Sequence, residues 1–367
     1  MSRKDLLKDV KRIVVKVGTS TIADGNRLSK KKLKKLIDDV SEIKKMGFEI
    51  VIVSSGAIAA GIGYLKQKKI LSIPEKQALA SIGQPVLINK YRKLFAKKNI
   101  SVGQILITED DINNRRRFLN ARHTLNTLIV NGVIPIINEN DSVVIKEIKF
   151  GDNDTLSAHV SSVIDADLLI LLSDVDGFYM NLNDPEPVEE IKTITDDIWS
   201  RAQGAGTTYS TGGMITKLRA AEIIIRFGEL MVIANGSIKN ILKKILLGNR
   251  IGTIFIGDDK SLSSRKKWLL LKSVQGGIII DEGAVNAIKN NNKSLLAAGI
   301  TKCVSEFEMG DIVEINDING QSIGKGIINY SSQELAKILG KKNDEIKEIM
   351  KNNFFNETIH KDDLILY

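Results

Sequence analysis

The stretch that decides the fold is IVVKVGTS, residues 13–20, near the start of the 367-residue chain. Its apolar, mostly β-branched run is interrupted by Lys16 and ended by a glycine, which predicts a short buried strand followed by a turn. A second stretch of this kind, IVIVSSG, occupies residues 50–56. Between the two, residues 29–46 have the apolar spacing of an amphipathic helix, with Ser29 as its predicted N-cap.

The alternation of strand and helix patterns continues past residue 170. Further strands are predicted at 103–108, 133–137 and 168–172, and further helices at 76–98 and 115–131. This order predicts an α/β fold with a mostly parallel central sheet and helices on both faces.

Four polar loops directly follow predicted strands, at residues 16–20, 53–56, 137–141 and 172–174. Ligands of open parallel sheets bind at the carboxyl ends of the strands, so these loops predict a binding site there.

The pattern becomes irregular and rich in serine and basic residues near residue 258. Beyond it, short apolar runs are separated by glycine and asparagine turns, which predicts a small β-rich domain. We therefore predict a first domain over residues 1–258, a linker over 259–274 and a second domain over 275–367.

Composition excludes several classes of protein. With 43% hydrophobic and 26% charged residues, the chain has the balance of a soluble globular protein. One cysteine, Cys303, and three scattered histidines argue against an internal disulfide and against a Cys- or His-based metal site. The sequence has neither an apolar leader nor a run approaching the ~20 residues that cross a bilayer, so we predict a cytoplasmic protein without membrane attachment.

The basic excess is unevenly distributed. The whole chain carries +9, but residues 275–367 contain ten lysines, no arginine and fourteen acidic residues, a net charge of −4. The remaining part therefore carries +13 and suits either a polyphosphate ligand or RNA. The acidic second domain argues against RNA binding.

Lys16 and the Ser54–Ala57 turn are candidate anion-binding groups. An ammonium in a buried strand is costly unless it is paired or used, so Lys16 is either a strand-end lysine, a lysine paired with a core carboxylate, or a phosphate ligand. The turn joins a strand to a helix and offers backbone N–H groups, although many such turns bind nothing.

Three further segments are candidates for chemistry. Residues 138–141 and 151–154 are dense in short carboxylates and amides, which suit either plain turns or the binding of an amino group, Mg²⁺ or a lysine. Residues 211–217, TGGMITK, combine glycines, hydroxyls and a lysine before a helix, as a phosphate cradle does, without the P-loop spacing. No serine or cysteine nucleophile stands beside His123 or His159, which argues against a hydrolase.

Together these segments resemble the glutamate-phosphorylating branch of the amino acid kinase superfamily. The matching stretches are residues 14–20, 50–61, 117–122, 133–141, 151–154 and 211–217. The last part of the chain resembles a PUA domain, with residues 281–284 and 294–296 as landmarks. The resemblance covers nearly the whole chain.

The resemblance implies ATP-dependent phosphorylation of the side-chain carboxylate of L-glutamate to glutamyl 5-phosphate, the first step of proline biosynthesis. It implies ATP and Mg²⁺ as cofactors, with the metal held mainly by the ATP phosphates. It also implies inhibition by proline, a homo-oligomer (dimer or tetramer) and a functional link to the glutamyl phosphate reductase. For the PUA-like domain we prefer a structural or regulatory role.

By motif match, the resemblance also implies a role for individual residues. Those implied in catalysis are Lys16, Lys217 and Asp154. Those implied in substrate binding are Ser55, Gly56, Ala57, Asp141, Asn153 and Asp152. Those implied in ATP binding are Lys16, Ser173, Asp174, Thr211, Gly212, Gly213, Met214, Ile215, Thr216 and Lys217.

The sequence departs from the family pattern at two places. Tyr209 and Ser210 stand where a glycine-rich stretch is common, and Ser173 replaces the usual threonine while keeping the hydroxyl. Two alternatives remain open: a kinase for N-acetylglutamate, aspartate or carbamate, and an RNA-binding or RNA-modifying protein.

Overall fold

The computed structural model describes residues 2–66, 72–143, 152–181, 183–204, 213–257, 266, 269–270, 272–291, 293–350 and 354–367. The chain divides into two compact units, residues 1–261 and 262–367. Much of the predicted linker, 259–265, 267–268 and 271, lies outside the described residues.

The first unit is built on a sheet whose strands run in the order β5-β6-β4-β1-β7-β9-β10-β8. These strands are β1 (Arg12–Val17), β4 (Glu49–Ser54), β5 (Val102–Ile107), β6 (Ile134–Glu139), β7 (Leu168–Ser173), β8 (Glu190–Ile191), β9 (Leu230–Asn235) and β10 (Thr253–Ile256). Two further strands, β2 (Ala23–Asp24) and β3 (Arg27–Leu28), form a separate hairpin. All neighbours in the large sheet are parallel except β9 and β10.

Helices flank this sheet. They are α1 (Arg3–Leu7), α2 (Thr19–Ile22), α3 (Lys30–Lys45), α4 (Ala57–Leu65), α5 (Ile73–Ala96), α6 (Glu109–Asn113), α7 (Arg115–Val130), α8 (Asp152–Ile164), α9 (Asp196–Gly204), α10 (Gly213–Arg226) and α11 (Ile241–Leu246). The predicted α/β class is thus confirmed.

The central strand β1 is covered on both faces. Its residues Ile13, Val15 and Val17 belong to an apolar core shared with side chains of α3 and α5. Successive strand residues point to opposite faces, so Val14 and Lys16 face the other side, where α8 packs on β1. This geometry aims the Lys16 side chain at α8.

The sheet order brings the four predicted polar loops to adjacent positions. They follow β6, β4, β1 and β7, which are consecutive parallel neighbours in the sheet. Their carboxyl ends therefore lie along one continuous edge, as the sequence pattern predicts.

Helices α4 and α5 approach each other backbone to backbone at two glycines. A Cβ atom on Gly83 would lie 1.8 Å from the carbonyl oxygen of Ala57, and one on Gly61 would lie 2.0 Å from that of Leu79. Only glycine permits such contacts, and they hold the first two turns of α4 close against α5.

The second unit contains a smaller sheet with the strand order β12-β11-β13-β14-β15. The strands are β11 (Gly276–Ile280), β12 (Ile300–Cys303), β13 (Ile312–Asn316), β14 (Ser322–Ile327) and β15 (Leu364–Leu366). The helices α12 (Glu282–Asn291), α13 (Ser332–Ile338) and α14 (Asn343–Met350) contribute to its separate apolar core. The prediction of a small β-rich domain is confirmed.

In the described part of the chain, every helix falls short of the length and apolarity that a bilayer-spanning helix needs.

Candidate active site

Asp154, on the first turn of α8, lies between two lysines from different elements. Its Oδ1 atom is 2.5 Å from Nζ of Lys16 on β1, and its Oδ2 atom is 3.5 Å from Nζ of Lys217 on α10. Thr216 donates a 2.8 Å hydrogen bond to the same Oδ2. All three charged groups are buried, and together they carry a net charge of +1. A buried positive excess favours the binding of an anion.

The charges in this cluster shift the ionisation of its members. Burial raises the pKa of the Asp154 carboxyl, but the charges of Lys16 and Lys217 and the hydrogen bonds from Lys16 and Thr216 together outweigh it, and the pKa lies below the ordinary 3.8. Burial lowers the pKa of Lys217 below the ordinary 10.5, against the opposing effect of Asp154. The carboxylate is therefore ionised at neutral pH, and Lys217 loses its proton more readily than an exposed lysine.

Asn153, the residue before Asp154, makes contacts with the loops that follow β4 and β6. Its Nδ2 donates to Oγ of Ser55 and to Oδ1 of Asn138, at 3.0 Å each. Asn138 Oδ1 also accepts from the backbone N–H of Glu139, which fixes that atom as the oxygen and Asn153 Nδ2 as the donor. The Oδ1 atom of Asn153 is then a buried acceptor without a hydrogen-bond partner among the described residues.

The turn that carries Ser55 leads directly into α4. Ser55 N–H donates to the carbonyl of Val17, which ties the loop after β4 to the end of β1. Gly56 has φ +100° and caps α4, whose first residue is Ala57. A glycine suits this backbone region, and the first N–H groups of the helix have no partners within it. The backbone N–H groups of Gly56 and Ala57 thus lie at a helix N-terminus, a position that suits the binding of an anion.

Ser173 and Asp174 follow β7 at the same sheet edge. Ser173 Oγ donates to Oδ1 of Asp174 at 3.0 Å, and the Ser173 carbonyl accepts from Gly236 N–H. Both residues line a cavity of about 360 Å³ together with Ser20, Thr21 and Asn235. Its volume lies in the range of small-molecule pockets.

For the remaining predicted residues the structure gives mainly their positions in the fold. Gly213, Met214 and Ile215 form the first turn of α10, and Gly213 accepts a 2.7 Å hydrogen bond from Lys217 Nζ on its carbonyl oxygen. Asp141 is half-buried in the turn after β6, and Asp152 is the first residue of α8. Outside the described residues lie Thr211 and Gly212, together with Tyr209 and Ser210, the two residues that differ from the family pattern.

Asn138 belongs to the candidate cluster 138–141 and contacts Asn153, although the resemblance implies a role only for Asp141 in that cluster. It stands at the end of β6. The signal was its position directly behind a strand, while its contact with Asn153 depends on two loops meeting in space.

The described residues of the site offer no protein-built metal centre. Among the described residues, no three His, Cys, Asp or Glu side chains converge. The carboxylate of Asp154 is occupied by two lysines.

Two protein-family models match this chain. Residues 11–235 match the model of the amino acid kinase family, and residues 276–350 match that of the PUA domain. The chain therefore belongs to the amino acid kinase family. The solved carbamate kinase from Giardia lamblia bound to AMP-PNP is 18% identical, with a TM-score of 0.49, over 68% of this chain and 99% of that one.

Within that family, the similar curated relatives are proteins named glutamate 5-kinase. The one from Caldanaerobacter subterraneus subsp. tengcongensis is 44% identical over 97% of each chain. The one from Carboxydothermus hydrogenoformans is 42% identical over 99% of each chain.

Proposed function

We propose that the chain transfers the γ-phosphoryl group of ATP to the side-chain carboxylate of L-glutamate, which gives glutamyl 5-phosphate and ADP. The similarity to proteins named glutamate 5-kinase over nearly the whole chain supports the acceptor. Membership of the amino acid kinase family supports the donor. The structural observation that carries the proposal is Asp154 held between Lys16 and Lys217 beside the contact of Asn153 with Ser55.

The chemistry requires positioning rather than a strong base. The glutamate carboxylate has an ordinary pKa near 4.3, so it is already an ionised nucleophile at neutral pH. The reaction must bring this anion in line with a triphosphate and stabilise charge on the moving phosphoryl group. A buried cluster with a net positive charge suits that task, because preorganised cations act strongly in a site that excludes water.

The two lysines are proposed to contact the ATP phosphates and the transferring group. Each ammonium has three N–H donors, so the bond to Asp154 and, for Lys217, the further bond to the Gly213 carbonyl leave at least one donor for a phosphate oxygen. Asp154 does not touch the phosphate in this account. It holds Lys16 and Lys217 at a fixed separation and lowers the cost of burying two like charges.

The acceptor half is proposed to consist of Ser55, Asn153, Asp141 and Asp152, with the N–H groups of Gly56 and Ala57. The buried Oδ1 of Asn153 supports an ammonium group as part of the ligand, because an unpaired buried acceptor is costly until a donor reaches it. An α-amino acid supplies a charged donor, whereas the amide N–H of an N-acyl amino acid and the NH2 group of carbamate are neutral donors.

The nucleotide half is proposed to include Ser173, Asp174 and the segment 211–217. The cavity beside Ser173 and Asp174 supports this position at the end of β7. Mg²⁺ is proposed to bind through the ATP phosphates, where it would neutralise part of their charge.

Five further expectations stay predictions: inhibition by proline at the glutamate site, a homo-oligomeric state, a functional link to the reductase that consumes the product, a cytoplasmic location, and a structural or regulatory role of the PUA domain.

The test is ADP release with MgATP and one acceptor at a time: L-glutamate, N-acetyl-L-glutamate, L-aspartate or carbamate, each with and without L-proline. The proposal expects turnover with L-glutamate. Turnover only with another acceptor would support a kinase activity but contradict L-glutamate as the substrate. Activity that proline does not change would contradict the predicted inhibition.

A further inference from the structure

Tyr91 of α5 lies directly beneath the proposed glutamate-binding turn, although the reaction does not use it. Its side chain is fully buried, and its Oη atom is 2.9 Å from Oγ of Ser54, which is also fully buried. Ser54 is the last residue of β4 and immediately precedes Ser55. Burying this pair costs the desolvation of two hydroxyl groups, and two apolar side chains of the same shape would avoid that cost. The pair is therefore expected to have a function.

The direction of the hydrogen bonds follows from counting protons. Ser54 Oγ also lies 2.9 Å from the carbonyl oxygen of Ser55, and a carbonyl can only accept. A serine hydroxyl carries one proton, which this bond uses. Tyr91 must therefore donate to Ser54, which gives a chain from the phenol through the serine hydroxyl to the Ser55 carbonyl. Burial raises the pKa of Tyr91, so the phenol keeps its proton at working pH.

The end of this chain is one side of the peptide group between Ser55 and Gly56. A peptide group is planar, and its C=O and N–H point in opposite directions. The hydrogen bond from Ser54 to the Ser55 carbonyl oxygen therefore also sets the direction of the Gly56 N–H. Gly56 needs this restraint, because its φ of +100° belongs to a residue type with broad backbone freedom.

Helix α5 is a rigid support for such a restraint. The close approach of Gly83 to the carbonyl oxygen of Ala57 holds α5 against the first turn of α4. The same helix also reaches the loop after β6, where Gln84 Nε2 lies 3.4 Å from the Glu139 carbonyl oxygen. Both proposed acceptor loops thus rest on α5.

We propose that Tyr91 is a positioning residue for the acceptor substrate: through Ser54 it sets the Ser55–Gly56 peptide that binds glutamate. This inference rests on the proposed function. Tyr91 contacts neither substrate, so its effect should appear in the affinity for glutamate rather than in the chemical step or in the affinity for ATP.

The experiment compares Tyr91→Phe, Ser54→Ala and the double variant in steady-state kinetics. Phenylalanine keeps the ring and removes only the hydroxyl. We expect KM for glutamate to rise roughly three- to tenfold, as one net hydrogen bond would give, with kcat and KM for ATP within about twofold. Because Tyr91 acts through Ser54, the double variant should match Ser54→Ala alone.

Tyr330→Phe is the matched control. Tyr330 is also a buried tyrosine, and its hydroxyl donates to the Phe355 carbonyl in the second unit. Its loss should leave KM for glutamate unchanged.

Three results would overturn the inference: an unchanged KM for glutamate in Tyr91→Phe, an equal rise in both KM values, or effects of Tyr91→Phe and Ser54→Ala that simply add. Should Tyr91→Phe fail to fold, Ser54→Ala alone must still raise KM for glutamate selectively. A wild type that rejects glutamate would contradict the proposed function instead, and the acid it does phosphorylate then serves in the same comparison.

Discussion

Asn153 and Asp154 are neighbours at the start of α8, and their side chains reach different loops of the sheet edge. Asn153 donates to Ser55 at 3.0 Å, whereas Asp154 binds Lys16 at 2.5 Å. Consecutive helix residues project about 100° apart, so one helix start can serve two binding regions. In the proposed reaction these regions hold the acceptor and the phosphoryl donor, and α8 fixes the distance between them.

Replacement of Lys217 by alanine should lower kcat much more than it changes KM for glutamate. The proposed lysine acts on charge that develops in the transition state, and loss of one such group costs about 10²- to 10³-fold in rate. Steady-state kinetics measures both constants. Lys243→Ala is the control, because the Lys243 ammonium pairs with Glu42 at the partly exposed surface, away from Asp154 and Lys16 in the site. A near-normal kcat in Lys217→Ala would remove this lysine from catalysis.

The activity should decline at alkaline pH before an ordinary lysine titrates. Burial lowers the pKa of Lys217 below 10.5, so raising the pH removes the working ammonium early. Arginine stays protonated throughout this range, so Lys217→Arg should lose the alkaline decline even if its overall rate is low. The measurement is the pH profile of kcat/KM for ATP, which reports the free enzyme, for both proteins over the range in which the wild type stays folded. Identical alkaline limbs would show that another group titrates.

Replacement of Asp141 by alanine should chiefly raise KM for glutamate. A charged hydrogen bond between a carboxylate and the substrate ammonium is worth about 1.5–3 kcal/mol, which corresponds to roughly 10- to 150-fold in affinity. KM for ATP, measured in the same experiment, is the internal control. If KM for glutamate stays at the wild-type value, Asp141 does not belong to the substrate site.

Gly83→Ala should destabilise the protein in spite of the better helix propensity of alanine. Propensity favours alanine by about 1 kcal/mol, but the new Cβ would lie 1.8 Å from the Ala57 carbonyl oxygen. Overpacking of this kind costs about 1–3 kcal/mol, and backbone leaves little room to relax. Urea denaturation measures the difference in unfolding free energy.

Gly283→Ala in α12 is the matched control for this variant. There, among the described residues, the atom that the new Cβ would meet is Oδ1 of Asp281, at 3.3 Å. It should unfold at the wild-type urea concentration or above it. Equal behaviour of the two variants would contradict the tight α4–α5 contact.

The sheet and the meeting of its polar loops at one edge could be predicted from the sequence because their signals are local. Residues 13–17 are apolar enough to predict a buried strand, and Lys16 within them is a charged residue that such a strand rarely contains. The helix predicted over 29–46 is observed as Lys30–Lys45 with Ser29 as its N-cap, since capping depends on neighbouring residues only. The polar loops converge because parallel strands share a carboxyl edge.

The finer contacts of the site could not be predicted in this way. Tyr91 fits the apolar face of α5, and nothing in its helix reveals that its hydroxyl meets Ser54, 37 residues away. Asn138 similarly gains its meaning from Asn153 on a different element. Such pairs depend on how helices and strands pack, which hydrophobic periodicity does not encode.

The most direct test of the central claim is trapping of the product by hydroxylamine. An acyl phosphate reacts with hydroxylamine to give a hydroxamate, whereas a phosphate on an amine or hydroxyl group does not. With MgATP and L-glutamate, the account predicts γ-glutamyl hydroxamate in amounts equal to the ADP released. ADP release without hydroxamate, or hydroxamate only from another acid, would contradict phosphorylation of the glutamate side chain.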